Sequence, residues 1–470
     1  MRLSSETGDR ARALIADRLG LDFPEHRQAD LERGLLRACR TSSISAPKAY
    51  LTWLSTLPDE SAEWRRLAAH LTVGETYFFR DPASFEALEQ KVLPSRIATR
   101  RAEGTLRLRV WSAGCATGEE PYSLAILLDR LLPDCPDWAL TILATDINVE
   151  ALEKARRGHY REWSFRETPQ WIRDRYFHRR GGETFELDAR IRGMLTFAPL
   201  NLAEEAYPSV VTNTSAVDLI LCRNVLMYFT REAQRETVVR LRRALVTGGW
   251  LVVSPSEASA ELFNPLVPVN FPGAILYRKE PASVAPLLTG WQSETRLPDF
   301  PARLPFVATS GGLDTLPSPL TVPSEERAES EEEAEAPHAT AADIERARAL
   351  ADRGDLDKAR ELCEAALARD RLDPEAHLLL AAICQEQGEI PAALEALRRA
   401  IYLAPGSAPA HFLLGSLLLG QEEPKRGRRC METVVSLLSS GPGDEPVPGY
   451  DGLTAGRLLE MARAHLEVHG

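Results

Sequence analysis

The residues best suited to chemistry lie in Val110–Ile126, where an apolar strand leads into a small-residue loop and a helix. The loop SAGCATGEE carries Gly114 and Gly118 but contains neither G-x-G-x-x-G nor G-x-x-x-x-G-K-S/T, the patterns that bind nucleotide phosphates. Glu119 and Glu120 open the predicted helix, where their charges would repel a phosphate. Acidic residues in a first helical turn also complement the helix dipole, and that alone explains them about equally well.

Polar residues also end three further predicted strands. Asp146 closes the strand in ILATDIN, Asn201 ends FAPLNL, and Asn224 follows LILCR. Ligands of parallel sheets bind beyond the carboxyl ends of the strands, and a carboxylate at the second strand end accepts hydrogen bonds from ribose hydroxyls. A ligand with a ribose and positive groups but no phosphate fits this set. S-adenosylmethionine, with its ammonium and sulfonium, is such a ligand.

Alternating strands and helices predict the elements that position these residues. The apolar segments LRLRVWSAG, WALTILATDI, GMLTFAPLNL, VDLILCRNV and GGWLVVSPSE predict a doubly wound α/β domain with a parallel sheet at 96–280. A small antiparallel β insertion is expected at about 178–192. Residues 1–95 have apolar positions three and four apart, which predicts an all-α N-terminal domain.

The remaining sequence divides into a linker and a repeat region. Prolines and the acidic tract EERAESEEEAEA predict a disordered linker at 281–340. Gly354 and Gly388 recur at a spacing of 34 residues, as do Ala359 and Ala393, which predicts tetratricopeptide repeats at 341–440 and a helical cap at 441–470. Such repeats have grooves that bind proteins. Because the linker separates them from the catalytic domain, we expect deletion of 341–470 to leave intrinsic activity intact.

Composition excludes several classes of protein. The formal net charge of −12 disfavours nucleic acid as a partner, because binding its phosphates requires a basic surface. The 7 cysteines are scattered without a C-x-x-C pair, which indicates free thiols and no metal site. No run of about 18 apolar residues and no apolar signal core occur, so we expect a cytoplasmic protein without direct membrane insertion. A nicotinamide oxidoreductase is disfavoured by the missing phosphate fingerprint.

The motifs LTVGETYFFRD, VWSAGCATGEEPYSLAI, ATDIN, LNL and DLILCRNVLMYF, followed by GGWLVVSPSE, resemble the chemotaxis-receptor glutamate methyltransferases of the CheR family over about residues 1–280. This resemblance implies an α/β class I (Rossmann-like) methyltransferase fold at 96–280, S-adenosylmethionine as methyl donor, S-adenosylhomocysteine as product, and esterification of glutamate γ-carboxylates on the helical cytoplasmic bundle of chemoreceptors. It implies that the cofactor contacts Thr76, Arg80, Glu119, Asp146, Asn201, Leu202, Asn224 and Val225. The loop glycine Gly114 joins this cofactor-binding set, and we expect Glu119 to touch the donor.

The proposed reaction requires no general base, because a glutamate carboxylate titrating near 4.3 is ionised at neutral pH. Catalysis then rests on aligning two charged partners. We expect Arg80 to orient a carboxylate by bidentate contact. Tyr228 is predicted near the reacting methyl group, although core packing explains a tyrosine there equally well. Arg80 and Tyr228 are therefore the candidate catalytic residues.

A basic surface and two departures from the family pattern complete the prediction. Arg33, Arg37 and Arg40 form one stripe on an N-terminal helix, and the resemblance implies that such a helix faces the acidic receptor, although a solvated surface explains the stripe nearly as well. Family members often carry asparagine where Gly74 stands and GHSE where this chain has SPSE (254–257). These departures keep open an alternative, a catalytically weak cofactor-binding scaffold that signals through its repeats.

Overall fold

The computed structural model describes residues 3–44, 46–58, 61–209, 212–281, 336–420, 423–439, 441–443, 445–447 and 453–468. Almost all of the linker predicted at 281–340 therefore lies outside the described residues. None of the helices in these ranges is long and apolar enough to cross a membrane. The same ranges contain no cluster of side chains suited to holding a metal ion.

Within the described residues, six α-helices precede the first strand. Their capping follows local sequence: the Ser4 side chain accepts a hydrogen bond from the Thr7 amide at the start of the first helix, and Gly20, with φ 69°, ends it. The helices are α1 (Ser5–Leu19), α2 (Gln28–Thr41), α3 (Pro47–Leu54), α4 (Ala62–Leu71), α5 (Pro82–Ala87) and α6 (Leu93–Ala102). The apolar faces of α1 to α4 share one core with one face of the sheet that follows.

The catalytic region is a mixed sheet covered by helices, which confirms the predicted fold class. Its elements are β1 (Arg107–Ala113), α7 (Glu119–Leu131), β2 (Ala139–Asp146), α8 (Val149–Arg157), β3 (His159–Arg161), α9 (Gln170–Tyr176), β4 (Phe177–Arg179), β5 (Thr184–Leu187), α10 (Ala189–Arg192), β6 (Leu195–Pro199), β7 (Val217–Leu221), α11 (Arg231–Ala244), β8 (Leu245–Val252), β9 (Val267–Phe271) and β10 (Ala274–Arg278). The main sheet has the order β6-β2-β1-β7-β8-β10-β9. Strands β6, β2, β1, β7 and β8 are parallel, while β10 and β9 pair antiparallel at one edge.

A separate small sheet lies in the chain between β2 and β6. It is antiparallel, with the order β3-β5-β4. The insertion predicted at about 178–192 contains β5 and α10, but β3 begins earlier, at His159. Strand β3 has only three residues, each paired with a residue of β5. The apolar period of so short a strand is not visible in the sequence.

Seven α-helices form the described part of the C-terminal region. They are α12 (Ala336–Asp352), α13 (Leu356–Arg369), α14 (Pro374–Glu386), α15 (Ile390–Leu403), α16 (Ala408–Gly420), α17 (Pro424–Leu438) and α18 (Ala455–Val468). Consecutive helices pack as antiparallel pairs, as the 34-residue period predicts, and α12 begins five residues before the predicted boundary at 341.

The repeats pack directly on the catalytic domain, so the expectation that they are separated from it is wrong. Gly354 and Gly388 lie in the turns after α12 and α14, and they contact Ala216 and Ala139 at the amino ends of β7 and β2. Glycine permits this close approach, because a Cβ on Gly388 would lie 2.5 Å from the Cβ of Ala139. The glycines that recur with the 34-residue period thus also form an interdomain interface.

Charged residues reinforce this contact at two places. Glu386 of α14 lies with its Oε2 2.9 Å from Nη1 of Arg109 on β1, and both side chains are almost fully buried. At the other end of the repeats, α18 forms ion pairs from Arg457 to Glu204 at 3.6 Å and from Glu460 to Arg65 of α4. The helix α18 therefore contacts both the N-terminal and the catalytic domains.

Candidate active site

An open cavity lies at the carboxyl ends of the parallel strands, beneath the N-terminal helices. This is the edge of the sheet opposite the repeats, whose turns contact the amino ends of the strands. Seven of the residues predicted from sequence line it: Gly114, Asp146, Asn201, Leu202, Asn224, Val225 and Tyr228. Gly74, the departure from the family pattern, lines it as well and has no side chain to contribute.

Asp146 ends β2 with its carboxylate held by two backbone amides. Oδ2 accepts a hydrogen bond from the Ala116 amide at 2.8 Å, and Oδ1 accepts one from the Asn148 amide at 2.8 Å. Burial raises the pKa of this carboxyl, while the amides oppose the increase. Each oxygen retains a further lone pair, so the carboxylate can accept hydrogen bonds from a diol in the cavity.

The loop after β1 closely approaches the loop after β7. Gly114 has φ 87°, and a Cβ built on it would lie 2.3 Å from Cγ2 of Val225. Only glycine fits, for conformational and for steric reasons. The Gly114 amide donates to the Thr145 carbonyl at 2.8 Å, which fixes the loop to the end of β2. The two loops thus form a narrow wall of the cavity.

Arg27 is a cavity residue that the sequence did not reveal. Its guanidinium lies 4.9 Å from the ring centroid of Tyr228 and 4.7 Å from that of Phe23. Nη1 donates to the Asp22 carbonyl at 3.1 Å, and Nε lies 3.7 Å from the Asp30 carboxylate. No motif marks Arg27, because it enters the cavity from the segment between α1 and α2 while Tyr228 follows β7.

Three predicted cofactor residues do not line the cavity: Thr76, Arg80 and Glu119. Arg80 donates from Nη1 to the Glu75 carbonyl at 3.0 Å. Glu119 is buried and accepts hydrogen bonds from the hydroxyls of Thr117 at 2.6 Å and Ser164 at 3.0 Å. Burial raises its pKa. Their roles as cofactor ligands stay predictions.

Glu120 has a structural role that links the strand-end loops. Its carboxylate accepts a hydrogen bond from the Ser112 hydroxyl at 2.7 Å and pairs with Arg223 at 3.2 Å. Arg223 in turn donates to the Arg80 carbonyl at 2.6 Å. The ion pair therefore connects α7, the loop after β7 and the segment that precedes α5.

The basic stripe lies outside the cavity on α2. Arg33, Arg37 and Arg40 are exposed, and Arg33 forms an ion pair with Asp30. The helix begins at Gln28, directly after Arg27, so the stripe extends away from the entrance of the cavity.

The cavity fits S-adenosylmethionine. Asp146 offers carboxylate oxygens, the loop at Gly114 allows close approach of a ligand, and apolar side chains such as Leu200 and Leu202 supply most of the remaining wall. The fold and this site define a class I S-adenosylmethionine-dependent methyltransferase.

Comparisons with known proteins identify the family. Residues 74–266 match the family model described as "CheR methyltransferase, SAM binding domain", and residues 344–408 match a tetratricopeptide repeat model. The chain is 35% identical to the chemotaxis protein methyltransferase of Escherichia coli, over 56% of this chain and 87% of that protein. It is 32% identical to a probable chemotaxis protein methyltransferase of Rhizobium etli, over 52% and 89%. The chain belongs to the CheR family of methyltransferases.

One relative is similar over nearly the whole chain. The probable biofilm formation methyltransferase WspC of Pseudomonas aeruginosa is 28% identical over 435 residues, which cover 90% of this chain and 97% of WspC. The similarity therefore extends beyond the catalytic domain into the repeats.

Proposed function

We propose that this protein methylates glutamate side chains on the cytoplasmic helical bundle of a chemoreceptor, forming γ-methyl esters in a chemosensory pathway. The observation that carries the proposal is the cavity itself, where seven predicted residues meet at the strand ends within the region matched by the CheR model. Relatives that are named chemotaxis protein methyltransferases support the chemosensory role. Such a partner implies action in the cytoplasm.

Bound S-adenosylmethionine supplies a methyl group on a positively charged sulfur. Asp146 would hold the ribose hydroxyls, and the narrow wall formed by Gly114 and Val225 would limit where the donor fits. Phe23 and Leu71 of the N-terminal domain add apolar surface to the cavity lining. Apolar surroundings strengthen the attraction between a carboxylate and a positive donor, and alignment lowers the barrier further.

Arg27 and Tyr228 are the residues placed to receive the acceptor. The glutamate carboxylate is already ionised at neutral pH, so it needs orientation and no proton acceptor. Arg27 provides a positive charge in the cavity, and its contact with the Tyr228 ring keeps both in place. Arg80 remains a proposed catalytic residue, although its Nη1 donates to the Glu75 carbonyl and it does not line the cavity.

The exposed stripe of Arg33, Arg37 and Arg40 is the proposed surface for the receptor helices. It lies on the helix that begins beside Arg27, so an acidic bundle resting on α2 brings a glutamate to the cavity entrance. Long-range attraction between such surfaces speeds association and is weakened by salt.

The repeats are proposed to select a protein partner. An open groove lies between α13 and α15, bordered by Leu372 and Tyr402, which are 72% and 84% exposed. The groove is on the repeat surface and does not include the glycine turns that contact the catalytic domain. A partner therefore has access to it while the repeats remain docked.

Methylation of a purified receptor fragment tests this function. The full chain is incubated with the fragment and radiolabelled S-adenosylmethionine, and γ-methyl esters are measured as methanol released by mild base. We expect base-labile label on glutamates. We expect the double variant Arg37→Glu, Arg40→Glu to transfer the methyl group at least tenfold more slowly than the wild type. The control is Arg235→Glu, an exposed arginine on α11. Base-stable label, or label on other residues, would show a different acceptor; binding without transfer would favour the scaffold alternative.

A further inference from the structure

The segment SPSE contains a buried carboxylate, that of Glu257. Glu257 is 8% exposed, and among the described residues it forms no ion pair. It closes a capping box with Ser254, whose amide and hydroxyl donate to Oε2 at 3.2 and 2.6 Å. A buried charge without a counterion requires compensating hydrogen bonds, so its other contacts decide what it does.

Those contacts are to the loop after β7. Oε2 of Glu257 accepts a hydrogen bond from the Asn224 amide at 2.7 Å. Oε1 accepts hydrogen bonds from the Val225 amide at 2.8 Å and the Met227 amide at 3.1 Å. A single side chain thus fixes three backbone amides of one short loop.

This loop needs such support. Asn224 has φ 57°, a left-handed conformation that residues other than glycine adopt at a cost and keep only when the surroundings impose it. Asn224, Val225 and Tyr228 all line the cavity, and Val225 also packs against Gly114. A change in the loop backbone would move all three.

We infer that Glu257 is a positioning residue for the cofactor site. Its carboxylate holds the 224–228 loop in the conformation that presents Asn224, Val225 and Tyr228 to the donor, and it does not itself line the cavity. The inference rests on the cofactor site and is independent of which acceptor the enzyme methylates.

Glu257→Gln tests the role with minimal change in shape. Both carboxylate oxygens accept two or more hydrogen bonds, so either orientation of the amide places an NH₂ donor against at least two existing donors. Loss of two hydrogen bonds to a charged group corresponds to about 30-fold or more. Glu261→Gln is the matched control, because this exposed glutamate lies four residues further on.

The measurement is calorimetric titration of the full chain with S-adenosylhomocysteine, together with thermal unfolding of the unliganded variants. We expect Glu257→Gln to bind about 30-fold more weakly than wild type and Glu261→Gln to bind normally. A lower unfolding temperature with unchanged affinity would show a merely structural role and overturn the inference. Failure of the wild type to bind would instead reject the cofactor site as a whole.

A second variant covers the case in which Glu257→Gln does not fold. Ser254→Ala removes only the hydroxyl that donates to Oε2 and leaves the carboxylate in place. We expect S-adenosylhomocysteine affinity to fall by about three- to tenfold. Wild-type affinity in a folded Ser254→Ala protein, beside an unfolded Glu257→Gln, would contradict the role.

Discussion

Glu386 makes the interface between the repeats and the catalytic domain sensitive to pH. Its carboxylate is buried opposite Arg109, with Oε2 2.9 Å from Nη1. Burial raises its pKa from 4.5 to about 7, because loss of hydration outweighs the attraction of Arg109 and Arg107. The perturbation that tests this is Glu386→Gln, which keeps the shape of the side chain and removes its titration.

The sign and size of the effect follow from the raised pKa. The docked protein holds the Glu386 proton more tightly than the unfolded chain does, so the stability from this group is fully present below pH 4.5 and is lost as the pH rises through 7. The whole shift corresponds to about 3 kcal/mol. Between about pH 5.5 and about pH 8, the expected loss is about 2 kcal/mol.

Urea unfolding followed by circular dichroism measures this loss. The free energy of unfolding of the wild type minus that of Glu386→Gln should fall by about 2 kcal/mol between these two pH values. Glu375→Gln, an exposed glutamate at the start of the same helix, is the control and should show no such change. A difference that does not vary with pH would refute the raised pKa and the buried interface behind it.

Three further predictions concern residues that line the cavity. Gly114→Ala should abolish S-adenosylhomocysteine binding, because its Cβ would overlap Val225, whereas Gly104→Ala, at φ 70° with nothing within 4 Å, should lower thermal stability slightly and leave binding unchanged. Tyr228→Phe retains the ring beside Arg27 and should keep kcat within about threefold, while Tyr228→Ala should lose about 100-fold; equal losses would assign the role to the hydroxyl. Arg27→Met should raise KM for the acceptor about tenfold with little change in cofactor affinity, and the reverse pattern would place Arg27 on the donor.

The sheet and most of the cavity were predictable because they follow from periodicity and topology. Parallel strands end at one edge, so Asp146, Asn201 and Asn224 could be placed together from their positions after apolar segments. The fold class and the repeats were predicted for the same reason, and the family comparisons agree with both.

The remaining features depend on contacts that no local pattern records. Arg27 and Glu257 contact residues that are distant in sequence. Docking of the repeats involves Gly354 and Gly388, whose spacing in the sequence indicates only the repeat period. Glu119 remains a predicted donor contact: its carboxylate accepts hydrogen bonds from Thr117 and Ser164, and it does not line the cavity. Motif position predicts which loop a residue occupies, and side-chain direction is decided by neighbouring elements.

The central claim is that S-adenosylmethionine binds in the cavity at the strand ends. Calorimetric titration of the full chain with S-adenosylhomocysteine, for wild type, Asp146→Ala and the exposed control Asp137→Ala, tests it most directly. The account predicts micromolar binding by the wild type and by Asp137→Ala, and none by Asp146→Ala. Undiminished binding by Asp146→Ala, or no binding by a folded wild type, would contradict it.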